Sequence, residues 1–415
     1  MSRILIIALG SRGDIQPFIA LARGLQRAGH TVTLQTSASY RPWIERWGVA
    51  YAYMNDDFMR LTESKAGRAA TDSGGNMSLL RQVMPLLRQT LNEEWEAASS
   101  FRPDLIVYHP KALGGRHIAE KLGVPVVMAL ALPLYTSTSA FATPIMPSLG
   151  GAFNRFSYSL LKLIALPYGG LINDFRQNTL GLPRQGRFAS DQWLHDGRPM
   201  PFLYAYSPHL LPVPDDYPPH VFVSGCWFLE QEPGWQPSPA LQEFLAAGPA
   251  PVYVGFGSMS GSRPQERAQH VLKALAQTGQ RGLLASGWGG LAASQVPPDV
   301  FVIDQAPHDW LFERVSAVVH HGGAGTTAAG LRAGRPTLIV PFIADQPFWG
   351  RVVAAGGWGP PPIPQKSLNA DRLAQALRQM STDAAMRQRA SDIGQRLRAE
   401  DGVANAVNWL QTHLR

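Results

Sequence analysis

The chain has 415 residues, 45% hydrophobic and 16% charged, enough apolar material for two or three packed domains at roughly 150 residues each and too much for global disorder. Its net charge of +7 comes from 31 Arg and 6 Lys, scattered singly and not interleaved with aromatics, which argues against a nucleic-acid-binding stripe. The single cysteine, Cys226, excludes an intrachain disulfide framework and a multi-thiolate metal site, and fits a reducing cytoplasm.

The first apolar run, residues 3–9, is too short for a secretory hydrophobic region and ends in a glycine turn, so it reads as a buried strand. A helical pattern over 16–28 follows, with Pro17 in its first turn and Gly29 as its stop. Strands are expected at 31–35 and 49–53, a long helix at 77–99, a strand at 104–107, a helix at 113–122 and a strand at 124–129. Strands separated by helices of this length mean βαβ units and a parallel sheet. From 132 to about 217 the stretch is rich in Pro, Gly and aromatics, with one helical piece at 153–166, and is read as loops and helices over the first sheet. Residues 230–240 look like a linker. The alternation then resumes: strands at 252–256, 282–286, 300–303, 317–320 and 337–340, with helices at 264–278, 326–333 and 345–355. Further helices close the chain at 370–380, 383–399 and 403–414. The expectation is an α/β protein of two Rossmann-like domains facing each other across a cleft. Residues 1–229 form the first and 241–399 the second, and the last helix, within 400–415, returns to the first. No stretch approaches the ~20 apolar residues of a membrane span.

Two Rossmann halves do not name a chemistry. A nicotinamide enzyme should carry G-x-G-x-x-G after its first strand and an acid after its second. Here the first turn is Gly10-Ser11-Arg12-Gly13-Asp14 and the second strand ends in Thr36-Ser37, which disfavours it.

The richest signal is Val319-His320-His321-Gly322-Gly323-Ala324-Gly325-Thr326-Thr327. A strand ends and a helix begins through small residues that let backbone N–H groups approach a phosphate at a helix N-terminus. His321 could donate to a phosphate oxygen. The local alternative is a tight turn with a capping Thr and two packed histidines. Farther on, Asp345 and Gln346 stand side by side after another strand, able to bridge vicinal sugar hydroxyls. An N-cap Asp with Pro347 in the first turn explains them equally well locally. No Asp-x-Asp ends a strand, and Asp56-Asp57 and Asp215-Asp216 lie in loop-like contexts, so no resident metal is expected to neutralise a leaving diphosphate.

The combination is more specific than its parts. His321 lies 24 positions before Asp345, and this spacing of a His from an Asp/Glu-Gln pair resembles the donor-binding signature of nucleotide-sugar glycosyltransferases of the GT-B fold. Pro307-His308-Asp309-Trp310-Leu311-Phe312, Gly287-Trp288-Gly289-Gly290-Leu291 and Asp345-Gln346-Pro347-Phe348-Trp349-Gly350 resemble the sterol 3-beta-glucosyltransferases and their bacterial relatives. So do Gly10 to Phe18 and Ala112 to Gly123. The similarity is weaker between about 130 and 225, where acceptors are usually gripped.

The resemblance implies a site. Asp14 matches the catalytic base, a role compatible with capping the following helix. Ser11 and Arg12 would touch donor phosphate or sugar, and Ser258 would face the diphosphate. Ala306 and His308 would contact the nucleotide, while His321, Gly323, Ala324, Gly325 and Thr326 would cradle the phosphates. Asp345 and Gln346 would hold the sugar. Where plant relatives stack a Trp on uracil this chain has Gln305, and Trp288 is the candidate replacement, with a packed core Trp as its alternative.

The implied reaction is an inverting, metal-independent transfer of a hexose, glucose from UDP-glucose, onto a hydroxyl of a sterol-like acceptor. UDP-glucose serves as co-substrate, with no cofactor or metal and no nucleic-acid partner. Left open are a carotenoid, macrolide or phenolic acceptor, a dTDP donor, a nucleotide-sugar epimerase, and a non-catalytic lipid or nucleotide binder. The helix at 153–166 could lie in a membrane interface, giving a cytoplasmic protein peripheral contact with a bilayer, or simply wall the acceptor pocket.

Overall fold

The computed structural model describes residues 1–63, 77–186, 192–230, 234–257, 264–285 and 296–414. The chain divides into two compact units. One comprises Met1–Tyr206, Val213–Leu229 and Asp401–Arg415, the other Ser207–Pro212 and Glu230–Glu400.

The first unit runs β1 (Arg3–Ile7), α1 (Arg12–Arg27), β2 (Thr31–Ser37), β3 (Ala50–Met54), α2 (Met77–Phe101), β4 (Leu105–Tyr108), α3 (Gly115–Leu122), β5 (Val126–Leu130), α4 (Gly151–Ala165), β6 (Phe202–Tyr204) and β7 (Val221–Val223). All seven strands are parallel in the order β3-β2-β1-β4-β5-β6-β7. Ile4, Leu5, Ile6 and Ile7 are all buried, the near-continuous apolar run that a parallel sheet covered on both faces demands.

The second unit runs β8 (Val252–Gly255), α5 (Pro264–Thr278), β9 (Gly282–Ala285), β10 (Val300–Ile303), α6 (His308–Phe312), β11 (Ala317–His320), α7 (Ala324–Arg332), β12 (Thr337–Ile339), α8 (Gln346–Ala355), α9 (Ala370–Thr382) and α10 (Ala384–Ala399). Its parallel sheet has the order β10-β9-β8-β11-β12. In both sheets the first strand of the unit sits centrally and the winding reverses beside it, between β1 and β4 and between β8 and β11. Ligands of doubly wound sheets bind outside the carboxyl ends at such reversals.

The last helix, α11 (Gly402–Gln411), belongs to the first unit. Its N-cap Asp401 accepts from Ala404 N–H. Val403, Ala406, Val407 and Leu410 join the core of Ile4, Phe18, Leu21 and Leu34, each large aliphatic contributing about 1.5–3 kcal/mol on burial. The approach is close at Gly24 of α1, where a Cβ would stand 2.4 Å from Val403 Cγ1.

The structure departs from the sequence expectations in two places. Helix α1 starts at Arg12, because Ser11 takes the N-cap position, so Pro17 lies inside the helix and its missing N–H leaves one turn unbonded. The stretch read as loops and helices holds β6, and β7 lies just beyond it, where no strand was expected. Each has three residues, too few to show a period, and ladder bonds such as Phe202 N–H to His220 O at 3.0 Å define them.

Candidate active site

The turn after β1 and the loop after β4 meet at the reversal of the first sheet, tied by a bond from His109 N–H to Ile7 O at 2.8 Å. Asp14 is the third residue of α1. Its Oδ2 accepts from the Ser11 amide at 2.8 Å, the Ser11 hydroxyl at 3.0 Å and the Lys111 ammonium at 2.9 Å. Its Oδ1 faces His109 Nε2 at 3.7 Å. The side chain retains 24% of its exposure, so it is reachable. Burial pushes the Asp14 carboxyl up, but Lys111, His109 and the Ser11 amide together outweigh it and hold the group below its ordinary value. Asp14 is therefore an anion at neutral pH. His109 is buried and pushed down to about 4, burial outweighing the attraction of Asp14, so its ring is neutral. Asp14 closes the capping box at the start of α1, and its carboxylate stays reachable.

Gly10, with φ at +147°, lets this turn form, since a Cβ there would stand 2.2 Å from Asp14 Oδ2. Ser11 is bound up with Asp14. Arg12 lies over the Trp43 ring, 4.6 Å from its centroid. His109 and Lys111 were missed in the sequence. The signal lay in the topology: Tyr108-His109-Pro110-Lys111 follows the strand next to β1, so its side chains share that end of the sheet.

In the second unit the turn after β11 carries His320, His321, Gly322 and Gly323. Gly322 has φ +100°, and a Cβ there would meet Ile339 Cγ2 at 2.7 Å and Gln346 Cβ at 3.1 Å, so only glycine fits. Gly323 is the N-cap of α7, with no side-chain cap bond, and Ala324, Gly325 and Thr326 form its first turn. Gly325 is exposed, with open space where a Cβ would point. At the N-cap a Cβ on Gly323 would stand 2.9 Å from His321 Nε2, so glycine lets that ring sit against the helix N-terminus. His320 is fully buried, its Nδ1 accepting from Gly322 N–H at 3.0 Å, which fixes the turn. Burial holds its pKa well below the usual value, with His321 and His308 adding to the effect. His321 is pushed down to about 4 by burial, opposed by the Gly255 carbonyl. Any phosphate contact it makes at neutral pH starts from a neutral ring.

Gln346 is buried and its Oε1 accepts from Phe342 N–H at 2.7 Å and Ile343 N–H at 3.1 Å. Its carbonyl therefore shapes the loop, leaving the amide nitrogen as the group that could meet a sugar. Asp345 is the N-cap of α8 but makes no side-chain cap bond. Ala344 before it has φ +56°, an uncommon conformation for a residue with a Cβ and one that tends to occur at functional sites. His308 stacks on Phe312, with ring centroids 4.4 Å apart, and Ala306 packs against the cluster around Tyr253 and Leu311. Ser258 and Trp288 lie outside the described residues. Among the described residues no group of three metal-ligating side chains occurs.

Comparison with known proteins gives the family and the fold. The Glycosyltransferase family 28 N-terminal domain matches residues 4–140, and the Erythromycin biosynthesis protein CIII-like C-terminal domain matches 289–410. A sterol 3-beta-glucosyltransferase of Arabidopsis thaliana is 38% identical over 99% of the chain and 68% of its own length. The chain belongs to the sterol 3-beta-glucosyltransferase family of glycosyltransferases. A member of this family from Neosartorya fischeri is 37% identical over 98% of the chain, which spans only 29% of that protein. A solved structure, the glycotransferase of kitacinnamycin, superposes with a TM-score of 0.74 over 100% of the chain and 99% of its own, at 20% identity. The fold is GT-B, and the family's enzymes are glycosyltransferases, as is this chain.

Proposed function

We propose that this glycosyltransferase moves glucose from UDP-glucose to the hydroxyl of a sterol or similar polycyclic lipid alcohol, with inversion and without a metal. The observation that carries the reading is Asp14, a reachable carboxylate at the reversal point of its sheet, kept anionic by Lys111 and Ser11. Such a group can take the acceptor's proton as its oxygen attacks the anomeric carbon. On the donor side the open N-terminus of α7 supports a diphosphate site at Gly323, Ala324, Gly325 and Thr326, with His321 donating one N–H to the leaving oxygen. Asp345 and the Gln346 amide would hold the sugar, and Ala306, His308 and Trp288 the nucleotide. Ser258 would face the diphosphate, and Ser11 and Arg12 would reach the donor beside Asp14. The names of the relatives support glucose and a sterol.

A peripheral membrane contact belongs to the same reading, since a lipid alcohol must leave a bilayer. Among the described residues no helix is long and apolar enough to cross a membrane. Phe156 and Leu163 of α4, seven residues apart, are 55% and 59% exposed, and Leu149 just before the helix is 69% exposed. Together these side chains suit an interface, although Arg155 is paired with Asp216 at 2.9 Å.

The test is incubation of the purified protein, after exhaustive EDTA dialysis, with UDP-glucose and a panel of sterols, carotenoids, macrolides and phenols, and without acceptor. Glucosylated sterol is expected, at a rate unchanged by added Mg²⁺. Turnover of the donor alone would point to an epimerase, and dependence on Mg²⁺ would overturn the metal-free scheme.

A further inference from the structure

The two oxygens of Asp14 keep different company. Three donors converge on Oδ2, the Ser11 amide, the Ser11 hydroxyl and the Lys111 ammonium, all within 3.0 Å. Oδ1 faces only His109 Nε2 among the described residues, at 3.7 Å, beyond hydrogen-bond length. An ionised carboxylate offers about two lone-pair directions per oxygen, so Oδ2 is filled while Oδ1 keeps its accepting capacity. Lys111 enters this set a second time. Its backbone N–H donates to His109 Nδ1 at 3.3 Å, which leaves the ring proton on Nε2, the nitrogen turned toward Oδ1. The ring is buried and neutral, so it neither competes for the acceptor's proton nor discharges Asp14.

We propose that Lys111 is a positioning residue for glycosyl transfer: its side chain pins Oδ2 of Asp14 and its backbone sets the His109 ring, so that Oδ1 alone is presented to the acceptor hydroxyl. The inference rests on the reading of Asp14 as the base. In the step, the hydroxyl proton passes to Oδ1 as the acceptor oxygen bonds to the anomeric carbon. The bond from that carbon to the diphosphate oxygen breaks, and its electron pair leaves with the diphosphate. Asp14 then returns the proton to water. An ammonium beside the base weakens its proton affinity, and the return is a carboxylate ionised and oriented before substrates arrive. Lys111 and His109 are the titratable groups that act on Asp14. Arg12, the other cation of this turn, is stacked on Trp43.

The experiment is kcat/KM and kcat against pH for wild type, Lys111→Met, Lys111→Arg and Asp14→Asn. Without the ammonium Asp14 takes up a proton at higher pH, so the acidic limb of Lys111→Met lies above that of wild type. Its plateau kcat falls, by up to about 10²-fold for a misoriented base. Lys111→Arg restores the limb. A Lys111→Met profile that superposes on wild type, with kcat within about twofold, overturns the proposal and leaves a half-exposed surface pair. Asp14→Asn separates the two layers. If it turns over normally, the base reading itself fails; if it is inactive while Lys111→Met matches wild type, only the role of Lys111 fails. The Lys111 side chain is 50% exposed, so folding is not at stake, and Lys111→Gln repeats the test with a polar side chain.

Discussion

Glu94 gives a sharp test of the electrostatic picture. It lies on α2, fully buried; its Oε2 accepts from Gly114 N–H at 2.8 Å, and among the described residues its Oε1 has no hydrogen-bond partner. Burial raises its carboxyl from 4.5 to about 8, with the Gly114 N–H opposing the rise and Glu93 adding to it. At neutral pH the native protein therefore holds Glu94 protonated, whereas the unfolded chain ionises it. A group whose pKa is raised on folding contributes stability that is fully present below its unfolded value and lost as pH climbs through its folded value. The window here is from 4.5 to about 8. At about 1.4 kcal/mol per unit, the loss across it is on the order of a few kcal/mol. Glu94→Gln keeps an acceptor for Gly114 N–H and cannot ionise. Its thermal midpoint should match or fall below wild type at pH 5 and exceed it at pH 8.5. Because Gly114 precedes α3 in the loop that carries His109 and Lys111, the same difference should appear in activity retained on warming at pH 8.5. Parallel midpoint curves for the two proteins across this range would mean that Glu94 is ionised in the native protein at neutral pH.

His321→Ala should weaken UDP binding by about two- to tenfold, the worth of one neutral hydrogen bond, since burial keeps this ring uncharged at pH 7; calorimetry that finds no change would return His321 to a packing role. Gly322→Ala, strained by its φ of +100° and a 2.7 Å contact with Ile339, should cost about 1–3 kcal/mol and reduce UDP affinity, and an unchanged melting point with unchanged affinity would count against the turn as a donor cradle. For the membrane reading, Phe156→Ser/Leu163→Ser should release the protein from anionic liposomes in co-sedimentation at moderate salt; binding indifferent to both changes would leave α4 as a wall of the first unit.

Much of the fold was legible because long elements carry a strong period. The apolar run at Ile4–Ile7, the helix that stops at Gly29 and the alternation from Val252 onward all follow directly from spacing. Three-residue strands do not, and β6 and β7 exist through ladder bonds to β5 and to each other. In the second unit, Gly322 and Gly323 stood out because only small residues permit such a turn. What the sequence withheld was pairing at a distance. Lys111 lies 97 positions from Asp14, and only the strand order β1 beside β4 brings the two to one end of the sheet. Gln346 shows the converse: its motif suggests a sugar contact, yet its carbonyl is engaged by the loop it belongs to.

The central claim is in-line displacement of the diphosphate by an acceptor hydroxyl activated at Asp14. Its most direct test is the anomeric configuration of the product formed from UDP-α-glucose and a sterol, read from the proton coupling at the anomeric carbon by NMR. A β-glucoside is expected from wild type, made by Asp14→Asn about 10²–10⁴-fold more slowly. An α-glucoside, or a β-glucoside made at full rate without the carboxylate, would contradict it.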